Sequence, residues 1–291
     1  MNEEVFFPAE WLARIGRCRL VPHSRFRGVQ RGSSLSGRTG NSPDFSDFAE
    51  YHPGDDIRKV DWNVYGRTEK LYVRRYLDER ELRVSVILDG TRSMAGGGRW
   101  LFARQLCAAI GLIALGSDDH FSAGLAGGTP AGLFSGKGAR SRNAFLQKLT
   151  SLPAPAETGG FAEEAWKFAG QAATIRFLIT DGLEPAGHFE ALFRRMLAAG
   201  GETRLILVGG EDAAVPDVRG DFRFIDSETG KSVAVTLTPG ARRAYEERRV
   251  AHRLAVAGIC RNFGIRLLEV QPAEGIPGFV NGKMRGAGWI R

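Results

Sequence analysis

From about residue 82 onward, short apolar runs alternate with longer segments in which apolar residues recur at helical spacing. The apolar runs predict β-strands at 82–88, 121–125, 131–134, 175–180, 205–208, 222–225, 232–236 and 265–270. The periodic segments predict helices at 99–115, 140–149, 162–169, 189–198 and 239–263. Strands that alternate with helices predict an α/β fold, namely a doubly wound, mostly parallel sheet with helices on both faces.

The last predicted helix has a clear start signal, because Pro239 occupies its first position directly after Thr238. Its inward face is expected to carry small and apolar residues: Ala244, Ala251, Leu254, Ala255, Gly258 and Ile259. The strand predicted at 265–270 then completes the sheet.

Residues 1–80 differ from the rest of the chain, since they contain many turn formers and few periodic runs, with a strand candidate at 71–76. Aromatic residues argue against a disordered tail: Trp11, Phe26, Phe45, Phe48, Tyr51, Trp62 and Tyr65. We therefore expect a small β-rich, loop-containing region at 1–80, the doubly wound domain at 81–271 and a C-terminal tail at 272–291.

The chain of 291 residues carries a formal net charge of +7, which raises the question of nucleic-acid binding. Residues 14–38 contain seven arginines and no acid, but the segment 44–61 that follows is rich in aspartate and glutamate. Such a distribution favours internal ion pairs or a protein-docking face. Aromatic residues are not interleaved with the basic ones as in single-strand binders. We therefore expect protein partners and no nucleic acid.

The sequence also indicates a cytoplasmic location. No stretch reaches 18 consecutive apolar residues, as a membrane span would need. The first residues are acidic and do not show the basic segment followed by an apolar segment that is typical of a secretory signal. Membrane association is therefore expected only through partners. Of the three cysteines, Cys107 and Cys260 lie in apolar helical patterns and are predicted to be buried thiols, as suits a reducing compartment.

Oxygen-bearing side chains follow two of the predicted strands. Asp89, Thr91 and Ser93 come directly after the strand at 82–88, and Asp181 follows the strand at 175–180. If these strands are neighbours, their carboxyl ends meet at one crevice, where open α/β sheets bind ligands. Carboxylate and hydroxyl oxygens suit a hard divalent cation. The alternative is that both segments are ordinary turns whose hydroxyls only cap the next helix.

Two segments resemble a known family. Residues 89–93, Asp-Gly-Thr-Arg-Ser, resemble the Asp-x-Ser-x-Ser turn of von Willebrand factor A-like domains, which bind a divalent cation at a metal-ion-dependent adhesion site. Residues 44–62 resemble the signature of the bacterial family called "domain of unknown function 58", and the resemblance extends over about residues 25–270. The core of that signature consists of Pro53, Gly54, Asp55, Asp56, Arg58, Asp61 and Trp62.

The resemblance implies a non-enzymatic interaction protein that works with a MoxR-type AAA+ ATPase in chaperone-like assembly or maturation of a client protein. It also implies that Mg²⁺ or Mn²⁺ is held by Asp89, Thr91, Ser93 and Asp181, with a partner carboxylate completing the coordination. Thr91 replaces the usual first serine and keeps the oxygen ligand.

This chain departs from the family pattern at the loop that usually supplies a threonine ligand after a Gly-Gly pair. Phe161 stands there, after Gly159 and Gly160, and Phe161 offers no ligand. Thr158, just upstream, replaces it only if the loop shifts its register. The site is therefore expected to bind its cation weakly, or to dock partners without one.

The signature segment has two open interpretations, a structural clasp or a direct partner surface. Pro53 and Gly54 fit the centre of a type II turn, in which Asp55 and Asp56 accept backbone hydrogen bonds. Arg58 and Asp61 are expected to pair with each other or to brace the sheet. Trp62 is predicted to be a core anchor between the two regions.

The alternative function is a metal-dependent phosphoester hydrolase that uses Asp89 and Asp181. Aspartate-nucleophile phosphatases generally place a second aspartate two residues after the first and a lysine downstream. Here Thr91 takes that second place, and no lysine lies near either strand end. The motifs of serine hydrolases, P-loop nucleotide-binding proteins and zinc proteases do not occur in the sequence either.

Overall fold

The computed structural model describes residues 6–23, 45–53, 57–76, 81–127, 131–155, 159–170, 172–210, 220–225 and 232–291. The signature residues Gly54, Asp55 and Asp56 and the candidate ligand Thr158 lie outside these ranges. Residues 1–28 and 82–291 form one compact unit, and residues 29–81 form a second.

The larger unit contains eight strands among its described residues: β3 (Arg83–Asp89), β4 (His120–Ala126), β5 (Ala131–Lys137), β6 (Ile175–Thr180), β7 (Glu202–Val208), β8 (Gly220–Ile225), β9 (Ser232–Leu237) and β10 (Arg266–Val270). Its α-helices there are α1 (Ala9–Ile15), α3 (Arg99–Gly116), α4 (Arg142–Thr150), α5 (Phe161–Ala165), α6 (Ala186–Ala198), α7 (Pro239–Asn262) and α8 (Ile276–Phe279). The smaller unit contains β1 (Phe45–Glu50), α2 (Trp62–Thr68) and β2 (Tyr72–Tyr76), and β1 pairs with β2 in antiparallel orientation.

Six strands form the central sheet in the order β10-β7-β6-β3-β4-β5. All neighbours are parallel except β4 and β5. The chain enters the sheet at β3, builds outward to β5 and returns to β6 on the other side of β3. The carboxyl ends of β3 and β6 therefore form the topological switch point, where doubly wound sheets place their ligands. The predicted α/β fold with a mostly parallel sheet is confirmed.

Each face of the sheet carries its own hydrophobic core. Alternate residues of β3 serve the two cores, since Val86 and Leu88 belong to one cluster and Ile87 to the other. The first cluster includes α3, and the second includes α6. The helix α3 has the length and mean hydropathy of a membrane span, but 78% of that stretch is buried in the structure, as expected of a core helix.

The boundary predicted after residue 80 lies one residue from the boundary between the two units, but residues 1–28 and the segment after residue 271 belong to the larger unit. Arg19 and Arg291 exchange backbone hydrogen bonds of 3.1 and 3.0 Å. Apolar residues of the predicted C-terminal tail lie in the first hydrophobic core: Ile276, Phe279, Val280, Met284, Trp289 and Ile290. The periodicity of these segments is too short to reveal their packing, because each contributes only a few turns.

A buried ion pair in β7 joins both terminal segments to the sheet. Arg204 Nε donates to Glu202 Oε1 at 2.7 Å, and both side chains are almost fully buried. The second oxygen of Glu202 accepts the backbone N–H of His23, while the Arg204 guanidinium donates to the carbonyls of Val21 and Trp289. Charges buried in this way need such complete pairing.

The predicted inward face of the last helix is wrong for most of its residues, although Ile259 packs against the second core. Leu254 is 63% exposed, and Ala251 and Ala255 are also exposed. The fully buried residues of α7 are Val256 and Cys260. Small residues occur on all sides of the helix, so their spacing did not identify the side that is buried. Cys260 is buried as expected, and so is Cys107.

Candidate functional site

The first part of the candidate site lies at the carboxyl end of the central strand β3. Asp89 is the last residue of that strand and is 1% exposed. Its Oδ1 atom accepts hydrogen bonds from the backbone N–H of Thr91 at 2.9 Å and from Thr91 Oγ1 at 2.6 Å. Oγ of Ser93 lies 3.0 Å from Oγ1 of Thr91. The three predicted ligand residues of this turn therefore form one chain of oxygens.

The turn depends on a close approach between backbones. The N–H of Gly90 donates to the carbonyl of Ala126 at 2.7 Å, which ties the turn to the end of β4. A Cβ atom at position 90 would lie 2.8 Å from Cδ1 of Leu125 and 3.3 Å from the Ala126 carbonyl oxygen. A larger residue there would need the Leu125 side chain to move and the Ala126 carbonyl to shift slightly.

The neighbouring strand β6 supplies the second part. Thr180, its last residue, donates from Oγ1 to Asp89 Oδ2 at 2.5 Å and accepts the N–H of Gly182 at 3.0 Å. Asp181 follows, and its Oδ1 accepts the N–H of Leu183 at 3.1 Å. The Oδ2 atom of Asp181 is buried and has no hydrogen-bond partner within the described part of the chain. The structure thus brings Asp89 and Asp181 to the same crevice.

The two carboxylates affect each other. Burial, together with the nearby Asp181 carboxylate, raises the pKa of Asp89 to about 7, although hydrogen bonds from Thr180 and Thr91 oppose the rise. A cation at this position would favour the ionised form of Asp89, because opposite charges lower the pKa of a carboxyl group.

A basic side chain also belongs to the site. Arg99, the first residue of α3, donates to the carbonyl of Ser93 from Nε at 3.1 Å and from Nη2 at 2.6 Å. Its Nε atom lies 3.8 Å from Asp181 Oδ2, and both side chains are almost fully buried. The guanidinium therefore connects the turn after β3 with the turn after β6.

Phe161 lies where the family pattern places a further metal ligand. Phe161 is fully buried in the second core and begins α5. Glu184, from the loop after β6, accepts the backbone N–H of Ala162 with both carboxylate oxygens at 3.2 Å. Burial raises the pKa of Glu184, while its hydrogen bonds act in the opposite direction. Phe161 thus has a packing role at this position.

The described signature residues lie in the smaller unit. Asp61 is buried and caps α2, because its Oδ1 accepts the N–H groups of Asn63 and Val64 at 2.9 and 3.2 Å. Trp62 is 60% exposed, so the prediction of a core anchor is wrong. Its ring contacts Tyr65 edge to face. Pro53 and Arg58 are exposed.

Two residues of the site were not predicted from the sequence, Thr180 and Arg99. Thr180 has the pattern of an ordinary strand end, although its position directly before Asp181 was an available signal. Arg99 has the pattern of an ordinary first residue of a helix. Only the fold brings it to Asp181, across 82 positions of sequence.

Among the described residues, no group of three or more histidine, cysteine, aspartate or glutamate side chains is arranged to hold a metal. A cation at the switch point would therefore be bound by two carboxylates, by the hydroxyls of Thr91 and Ser93 and by water. Such an oxygen-only set, with few protein ligands, suits Mg²⁺, which keeps several waters. The buried Oδ2 of Asp181 accepts no hydrogen bond within the described part of the chain, although Arg99 lies 3.8 Å from it, so it retains lone pairs for a cation.

Fold and site define the class: a doubly wound α/β domain with paired aspartates and hydroxyls at its switch point. Residues 47–255 match the family described as "protein of unknown function DUF58". The chain belongs to this family, as its signature segment predicted. The matched range includes both the signature residues and the two strand ends that form the site.

The chain is similar over most of its length to proteins of two mycobacteria. Uncharacterised proteins of Mycobacterium bovis and Mycobacterium tuberculosis are 28% identical over 289 residues, covering 94% of this chain and 90% of theirs. Among solved structures, the conserved hypothetical protein BatB of Bacteroides thetaiotaomicron is 13% identical with a TM-score of 0.45, covering 71% of this chain and 98% of BatB. An aerotolerance-related membrane protein of Bacteroides fragilis is 16% identical with a TM-score of 0.43, covering 70% and 99%.

Proposed function

We propose that this protein is a non-enzymatic interaction module whose docking centre is the crevice between the ends of β3 and β6. One observation carries the proposal: Asp89, Thr91, Ser93 and Asp181 converge at the switch point, and Asp181 Oδ2 is buried there without a hydrogen-bond partner in the described chain. The ion pair with Arg99 offsets its charge at 3.8 Å, but no described group donates a hydrogen bond to this oxygen, so a ligand would complete its coordination. The arrangement therefore supports a cation-dependent site.

In this proposal Mg²⁺ or Mn²⁺ is held by Asp89, Thr91, Ser93 and Asp181. The metal supplies a positive, Lewis-acidic centre to which a carboxylate of the partner binds. The residues of the chain orient the cation: the backbone of Thr91 fixes Asp89, and the capped turn after Asp181 fixes the second carboxylate. Phe161 leaves this set one ligand short, so the partner carboxylate contributes a large share of the binding.

The proposed partner is a MoxR-type AAA+ ATPase, with which the protein would act in chaperone-like assembly or maturation of a client protein in the cytoplasm. Membership of the DUF58 family supports this choice, together with the resemblance on which the expectation rests. The exposed aromatic residues of the smaller unit, Trp62 and Tyr65, offer a second contact surface for the ATPase or for the client.

The test measures binding of the purified protein to the AAA+ ATPase in Mg²⁺ and in EDTA. We expect binding in Mg²⁺ that is lost in EDTA and weakened at least tenfold by Asp89→Ala and by Ser93→Ala. Asp118→Asn serves as the control, because Asp118 is an exposed acid at the opposite edge of the sheet. Equal binding by all variants would refute the proposed docking centre.

The same samples test the hydrolase alternative. A phosphatase would release phosphate from p-nitrophenyl phosphate in Mg²⁺, and Asp89→Ala would abolish the release. We expect no turnover that depends on Asp89. Turnover with this dependence would replace the interaction module by an enzyme.

A further inference from the structure

Arg99 is a buried cation in an unusual position. It occupies the first position of α3 and is 6% exposed. The positive end of a helix dipole disfavours a basic side chain in the first turn. Burial adds to this cost, since an ionised side chain out of water needs close partners. The fold therefore keeps Arg99 here against two unfavourable effects.

The contacts of Arg99 show what compensates these effects. Two guanidinium nitrogens donate to the carbonyl of Ser93, and Nε lies 3.8 Å from the buried Oδ2 of Asp181. The guanidinium thus touches both turns that carry the proposed cation ligands. It contacts Ser93 through the backbone only and leaves the Ser93 hydroxyl beside Thr91.

We infer that Arg99 is a specificity-determining residue that makes the binding of the divalent cation and of a partner carboxylate depend on each other. The inference rests on the proposed function and deepens it. With both aspartates ionised, the Arg99 guanidinium 3.8 Å from Asp181 Oδ2 offsets part of their negative charge, so the site holds a divalent cation less tightly than the two aspartates alone would. A carboxylate from the partner supplies negative charge at the same place.

This charge balance has two consequences. The cation binds weakly to the protein alone, because the buried guanidinium repels it. A monoanionic carboxylate then binds more tightly to the metal-loaded site than to the metal-free one, and by linkage it tightens the metal in the same proportion. Arg99 therefore selects partners that present a glutamate or aspartate side chain.

The test titrates Mg²⁺ by calorimetry into the wild type, Arg99→Gln, Arg99→Lys and Arg92→Gln. We expect Arg99→Gln to bind Mg²⁺ roughly ten- to hundredfold more tightly than the wild type, since a unit charge is removed at short range from a buried site. Arg99→Lys keeps the charge and is expected to bind like the wild type. Arg92→Gln removes an exposed charge from the same turn and is expected to change the affinity less than threefold.

A second titration repeats these measurements in sodium acetate, with sodium chloride at equal ionic strength as the reference. We expect acetate to tighten Mg²⁺ binding by the wild type and to have a much smaller effect on Arg99→Gln. An equal effect on both proteins would overturn the inference, and so would unchanged or weaker Mg²⁺ binding by Arg99→Gln when thermal unfolding shows that it is folded.

The inference and the proposed function fail in different ways. If the wild type binds Mg²⁺ but acetate tightens the binding equally in Arg99→Gln, only the inference about Arg99 fails. If the wild type shows no Mg²⁺ binding with or without acetate, the proposed cation-dependent function fails, and the inference that rests on it fails too.

Discussion

Replacing Thr180 by valine removes one hydroxyl from the site and keeps the shape of the side chain. This hydroxyl donates to Asp89 Oδ2 at 2.5 Å and accepts the N–H of Gly182 at 3.0 Å. A hydrogen bond to a charged group contributes about 1.5–3 kcal/mol, and a buried N–H without a partner costs about 1–3 kcal/mol. We expect Thr180→Val to lower the free energy of unfolding by about 3–5 kcal/mol at pH 8, where Asp89 is ionised.

Urea unfolding followed by circular dichroism, in EDTA, measures this change. Thr180→Ser is the matched control, because it keeps the hydroxyl and loses one methyl group, at a cost of about 1 kcal/mol. The reasoning predicts that the valine variant is clearly less stable than the serine variant. Equal stability of the two would show that the hydroxyl does not hold the site together.

Three further predictions concern the same framework. The pKa of Asp89 is 3.8 in the unfolded chain and about 7 in the folded protein, so folding favours the protonated carboxyl. In EDTA this contribution to the free energy of unfolding is complete below pH 3.8 and is lost as the pH rises to about 7. The difference in free energy of unfolding between wild type and Asp89→Asn should therefore change across this window in urea titrations, and a constant difference would contradict the raised pKa. Gly90→Ala places a Cβ 2.8 Å from Leu125 and should cost about 1–3 kcal/mol in the same assay, whereas an unchanged value would disprove the close approach. Arg204→Met removes the 2.7 Å partner of the buried Glu202 and leaves only the more distant Arg266 guanidinium, at 3.8 Å, to offset its charge, and we expect a loss of about 3–5 kcal/mol in thermal or urea unfolding. A loss below about 1 kcal/mol would mean that the pair is dispensable.

The sheet was predictable from the sequence because its central strands are apolar on both faces. β6 is buried throughout and β3 from Val84 onward, so the carboxyl ends of both apolar runs were recognisable from the acids Asp89 and Asp181 that follow them. Family membership was equally accessible, since the signature at 53–62 is long. These features depend on local patterns, which a single sequence contains.

Contacts between distant segments were not predictable. Arg99 meets Asp181 only because α3 begins beside the end of β6, and helical periodicity carries no information about that neighbour. Trp62 was expected in a core because of its size, but it begins α2 directly after the helix cap Asp61, and none of the residues of that helix is buried. The terminal segments were missed because their packing depends on the buried Arg204 in β7.

The most direct test of the central claim is calorimetric titration of Mg²⁺ and Mn²⁺ into the wild type, Asp181→Asn and the control Asp118→Asn. The account predicts binding to the wild type and the control, and its loss or at least tenfold weakening in Asp181→Asn. Absence of binding by the wild type, or full binding by Asp181→Asn, would contradict a cation site between the ends of β3 and β6.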